Sequence, residues 1–64
     1  MLSPEERNLI RTRYRYFKRT SGKDALEKTI EWFKRWFREL ARREVPEDHL
    51  REIVEFLEEL EETL

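Results

Sequence analysis

Apolar residues recur along this chain at helical rather than strand spacing. At about 100° per residue, Leu50, Ile53, Val54, Leu57, Leu60 and Leu64 fall on one compact stripe, with Phe56 and His49 on its flank. A second stripe joins Leu26, Ile30, Phe33, Phe37, Leu40 and Ala41. A third joins Ile10, Tyr14 and Phe17. Sustained two-residue alternation and hairpin dipeptides such as Asn-Gly are absent.

Turn chemistry supplies the boundaries. Ser3 with Glu6 three residues later forms a capping box, and Pro4 takes the first helical position, where its missing N–H is harmless. Gly22 suits a positive-φ helix end. Asp24 with Glu27 reads as a second N-cap signal, and Pro46-Glu47-Asp48 as a third helix start. The pattern therefore predicts one all-α domain over residues 1–64. Its helices span about 4–20, 24–44 and 47–63, folded as an antiparallel, up-down-up three-helix bundle.

The stripes are wider than this fold needs. A helix packed on two neighbours requires an apolar arc only somewhat wider than about 100°. In the second helix Ala25, Thr29, Trp32 and Trp36 extend the uncharged arc on one side. In the first helix Leu9, Thr12, Arg13, Tyr16 and Thr20 extend the stripe in the same angular sense. For antiparallel neighbours, flanks on the same angular side share an outer face. The two extensions then merge into one patch, with Arg13 level with Trp32 and Leu9 near Trp36. In a bundle of opposite hand the tryptophans would join Phe56 and His49 instead. The first arrangement gathers more of the surplus.

Contiguous exposed apolar patches mark interaction sites, and Trp, Tyr and Arg are enriched in interface hot spots. Leu9, Thr12, Arg13, Tyr16, Ala25, Thr29, Trp32 and Trp36 are the candidate protein-binding residues, the small ones admitting a close approach. The competing reading buries both tryptophans in the core. Arg13 has two readings: a side chain snorkelling to solvent or to Glu31, or an interface cation for a partner's carboxylate.

Charge narrows the partner. Fourteen basic and fifteen acidic side chains nearly cancel, leaving −1. Their distribution is uneven. Residues 1–22 carry six basic and two acidic groups, residues 23–45 seven and five, and residues 46–64 one and eight. The basic first helix and acidic third attract each other, which penalises other topologies. The run from Arg11 to Arg19 interleaves cations with aromatics, as nucleic-acid binders do. On a helix, however, Arg7, Arg11, Arg15, Lys18 and Arg19 face away from those aromatics, so nucleic-acid binding is not expected.

Other chemistries find little purchase. There is no cysteine and one histidine, so neither a disulfide framework nor a three-ligand metal site is expected. The glutamates of the third helix form a solvated side rather than a cleft that splits pKa values. No nucleophile, base and orienter are grouped, so the chain is expected to be no enzyme, with no cofactor and no small-molecule substrate. No apolar run approaches the roughly 20 residues of a membrane span, and no signal-peptide pattern follows Met1.

Propensity, pattern and caps all agree along the chain, as in an idealised fold. Leu2-Ser3-Pro4-Glu5-Glu6, Ser21-Gly22-Lys23-Asp24 and Val45-Pro46-Glu47-Asp48 resemble the helix entry and connections of computationally designed three-helix miniprotein binders. That resemblance covers the whole chain. It implies a monomer, when free, that binds a chosen protein surface, of the receptor-ectodomain or viral-protein class, through an apolar patch on two helices. The alternative is a designed scaffold or self-associating bundle with no external partner.

Overall fold

A computed structural model describes residues 1–63, and these are all-helical, with no strand among them. They form α1 (Pro4–Ser21), a 3₁₀ turn (Gly22–Asp24), α2 (Ala25–Ala41) and α3 (Glu47–Thr63). Helical backbone is thus nearly continuous from Pro4 to Ala41, interrupted only at the 3₁₀ turn.

The local reasons are those of the residues. At the start of α1 the Ser3 hydroxyl accepts from the Glu6 amide and the Glu6 carboxylate accepts from the Ser3 amide, both at 3.1 Å. Two orphan amide donors are satisfied in one exchange. Gly22 ends α1 at φ 63°, ψ −116°, a backbone region that side chains penalise. Asp24 does not cap α2 as expected, because its side chain makes no capping bond. The 3₁₀ turn runs directly into α2, and the Ala25 amide bonds to the Gly22 carbonyl. The second helix also stops three residues short of the expected 44. Arg42 adopts φ 60°, ψ 33°, the left-handed conformation, and its amide bonds to the Arg38 carbonyl. Before α3 the Pro46 carbonyl accepts from the Leu50 amide at 2.9 Å.

All three helices feed one core. Ile10 and Tyr14 come from α1, Ala25, Thr29 and Phe33 from α2, and Ile53, Leu57 and Leu60 from α3. Leu2 and Val45, just outside the helices, are buried with them. Leu64 of the expected third stripe lies outside the described residues.

The inward face of α2 is rotated from the sequence expectation. Ala25 and Thr29, expected on the exposed patch, are 1% and 0% exposed. Together with Phe33 they form a row at four-residue spacing. Leu26, Ile30 and Phe37 lie half-buried on one side of this row, and Trp32 and Trp36 half-buried on the other. Of the helix pairs, α1 and α2 have the most extensive backbone contact, and small residues at a helix contact allow short interaxial distances. The closeness serves the core rather than a partner. Burying Thr29 costs little because its hydroxyl donates to the Ala25 carbonyl at 2.7 Å. Leu40, expected in the core, is 67% exposed, and Ala41 is exposed too. They occupy the last turn of α2, where the chain leaves at Arg42 and Val45 is the next side chain to be buried.

Candidate protein-binding face

Phe33 is fully buried, and the aromatic surplus builds outward from it. The Trp36 ring lies 5.3 Å from Phe33, and the Trp32 ring stacks on Trp36 at 6.3 Å with planes 20° apart. Four-residue spacing on a helix makes this stack possible. Both indoles are therefore rooted in the core on one edge and reach the surface on the other.

From α1, Arg13 reaches over this stack. Its guanidinium carbon stands 4.7 Å from the Trp32 ring centroid, 5.5 Å from Tyr16 and 6.0 Å from Phe17. Tyr16 meets Phe17 edge to face at 5.4 Å and is 45% exposed. The two tryptophans thus share the α1–α2 side with Arg13, and Phe56 and His49 lie elsewhere. Leu9, one turn before Arg13, is half-buried, and Thr12 is exposed. Of the eight candidate residues, the structure brings together Arg13, Tyr16, Trp32 and Trp36. Leu9 and Thr12 border them on α1, while Ala25 and Thr29 lie beneath, in the core.

Arg13 does not reach Glu31. Among the described residues no carboxylate lies within 4.0 Å of its guanidinium, and Glu31 is within 3.9 Å of Lys34 instead. Arg13 is half-buried, with its charge resting on the negative faces of aromatic rings. Beside it runs an open groove of about 330 Å³ floored by Phe17 and Trp32. Glu27, Lys28, Glu31 and Arg35 form its rim. Sequence spacing assigns Phe17 to the core alone. Its position four residues after Arg13 is the signal that it also borders this face.

The opposite side of α1 is built differently. Arg7 and Arg11 stand 5.9 Å and 5.7 Å from the Phe56 ring of α3. Glu52, Glu55 and Glu59 share a groove with Arg7, Leu2 and Phe56. One turn away, His49 Nε2 donates to Glu6 Oε2 at 3.1 Å, both side chains mostly buried. The imidazole also lies about 6 Å from the Phe33 and Phe37 rings. His49, placed by its spacing on the flank of the third apolar stripe, is therefore a structural tie between helices. Burial pushes the Glu6 carboxyl up, but the Ser3 amide, the His49 hydrogen bond and charge, and the Ser3 hydroxyl outweigh it and hold the group below its usual 4.5. Glu52 accepts from the Leu2 amide at 2.8 Å, and this bond, with the nearby N-terminal charge, also holds its carboxyl low. Burial, with Glu61 nearby, pushes the Tyr14 phenol up from 10.0.

Among the described residues no three His, Asp or Glu side chains are grouped to hold a metal ion, and no helix is long and apolar enough to cross a membrane. No family model, curated protein or solved structure matches the chain.

Proposed function

We propose that this protein is a designed binding module, an antiparallel up-down-up three-helix bundle whose α1–α2 face docks on a partner protein. Pairings between helices support the topology. Glu6–His49 and Tyr14–Glu61 climb α1 and α3 in the same direction, while the short 3₁₀ connection and the Arg13–Trp32 contact fit α1 and α2 running oppositely.

The observation that carries the function is Arg13 over Trp32, itself stacked on Trp36, at a half-exposed face where no carboxylate lies within 4.0 Å of the guanidinium among the described residues. Stability alone would favour turning the indoles inward, where more of their apolar surface would be buried. Trp32, Trp36 and Tyr16 are the anchors in this reading, Arg13 the polar contact, and Leu9 and Thr12 the border. Ala25 and Thr29 hold α1 against α2 beneath the face. Side chains held on rigid helices lose little entropy on binding. The partner is of the extracellular-receptor or viral-surface class implied by the resemblance to designed binders. The free chain is a monomer without catalytic activity, cofactor, nucleic-acid ligand or small-molecule substrate.

The test is a panel of purified ectodomains and viral surface proteins titrated against the displayed chain. A true partner should lose about 2 kcal/mol or more of binding on Trp32→Ala or Trp36→Ala, with helicity retained. Full affinity in the double variant contradicts the reading. The second reading, a self-associating bundle, has one favouring observation: the acidic α3 of a copy complements the basic α1–α2 side. Sedimentation separates the two, because self-association raises the mass with concentration.

A further inference from the structure

The charge map and the geometry of Arg13 say more about the partner. Residues 1–45 carry a net +6 and residues 46–64 a net −7, so the molecule has a positive and a negative side. The groove beside Arg13 is lined by α1 and α2 residues alone, and its charged rim is balanced, Glu27 and Glu31 against Lys28 and Arg35, so Arg13 is the cation that tips the face positive. None of the α3 carboxylates among the described residues comes within 4.0 Å of Arg13. Its guanidinium donors are not buried, since no buried side-chain nitrogen or oxygen lacks a hydrogen-bond partner among the described residues. They face water, in a fork geometry that matches a carboxylate.

We infer that the partner surface is acidic, presenting a carboxylate to Arg13 beside an apolar side chain that seats against Phe17 and Trp32. This rests on the reading of the α1–α2 face as the binding face. The attraction has two parts. At long range the positive side steers a negative surface toward the face and speeds association. At contact, the aromatic platform keeps Arg13 in place and excludes water from one side of the ion pair, where the interaction gains strength. A basic group placed at Arg13 would meet a cation with no carboxylate within 4.0 Å among the described residues, a repulsion that confers specificity. Glu27 and Glu31 stand on the rim beside Lys28 and Arg35, so the anion preference is set by Arg13 and not by the rim.

The experiment pans a displayed random-peptide library against the immobilised full chain, in parallel with Arg13→Gln and with the Trp32→Ala, Trp36→Ala double variant. Enriched peptides should carry Asp or Glu next to aromatic or branched aliphatic residues. Their affinity should fall at least about tenfold in Arg13→Gln and decrease with added salt. Arg35→Glu, at an exposed rim position, is the second variant. It should slow association several-fold even if Arg13→Gln disturbs packing. Peptides that need the tryptophans but show no acidic preference, and bind Arg13→Gln equally well, would overturn this inference alone. Peptides that bind the tryptophan double variant undiminished would overturn the binding-face reading with it. An empty panning counts against the inference. So does a concentration-dependent mass abolished by Arg13→Gln, which would assign the face to a second copy.

Discussion

Arginine meets aromatic rings on both sides of α1, and the two contacts keep different company. On the α3 side, Arg7 and Arg11 stand over Phe56 with glutamates of α3 around the same groove. That side is also tied by Glu6–His49 and by Glu52 on the Leu2 amide. On the α2 side, Arg13 stands closer to its ring, at 4.7 Å, yet has no carboxylate within bonding reach among the described residues. By the same measure Arg7 and Arg11 have no carboxylate within 4.0 Å among the described residues, and Arg11 donates to Asn8 Oδ1 at 2.8 Å. What the first side has is glutamates around the same groove and two ties to α3. The second leaves a cation and two indole edges facing water. A charge resting on an aromatic platform is cheap to hold in the free protein and ready to pair, so the difference lies in the ties. The α3 side is fastened by hydrogen bonds between elements, and the α2 side, proposed as the binding face, carries its aromatics at the surface.

The largest expected effect tests the root that both sides share. Phe33→Ala empties a fully buried site and should cost about 3–5 kcal/mol, enough to unfold a chain this small or to leave it marginal in a urea titration. Trp32→Ala should cost clearly less than this, because its ring is only half-buried. If the tryptophan variant were the more destabilised of the two, the indole would belong to the core and the comparison would break.

Gly22→Ala comes next. No neighbouring atom stands within 4 Å of the position a methyl would take there, so packing should be unaffected. The backbone at φ 63°, ψ −116° is the whole cost, on the order of 1–3 kcal/mol. Thermal unfolding would show whether the α1–α2 connection must hold this conformation to keep Arg13 level with Trp32.

Acid should weaken the α3 side selectively. Glu6 has a lower pKa folded than unfolded, so its contribution is fully present above about 4.5 and is lost as pH falls from there through the folded value. Unfolding measured across that window should show falling stability, with a shallower dependence in Glu6→Gln. At the other extreme, Tyr14 is raised in the fold, so its contribution holds below 10.0 and is lost as pH rises beyond it. The smallest effect is expected at Arg13. Arg13→Gln should change stability by no more than about 1 kcal/mol, as the proposal that Arg13 serves a partner requires.

Much of this was readable from residue order. The capping box at Ser3, the break at Gly22 and the start of α3 follow from local chemistry, and the structure has each of them. Local chemistry also misled at Asp24, because an N-cap signal competes with a 3₁₀ turn that continues directly into the helix. The early end of α2 at Ala41 depends on a left-handed arginine that no proline or glycine announces. The deeper difficulty was the width of the α2 arc. When about half of a helix is uncharged, periodicity fixes the arc but not which part of it faces inward. Neighbouring helices decide that, and they chose the small row Ala25 and Thr29. The same limit hid His49, whose partners Glu6, Phe33 and Phe37 lie on other helices. Arg13 and Trp32 were legible as a level pair because both extend the apolar stripes of successive helices in the same angular sense, and the guanidinium does stand over that ring.

The most direct measurement is tryptophan emission of the dilute monomer with iodide and acrylamide as quenchers, helicity being followed alongside. The account expects emission to the red of a buried indole. Iodide should quench it more effectively than neutral acrylamide would suggest, because Arg13 draws the anion to Trp32, and that excess should vanish in Arg13→Gln. Blue-shifted emission that both quenchers leave untouched would put the indoles inside the core and contradict the claim that this face is held open for a partner.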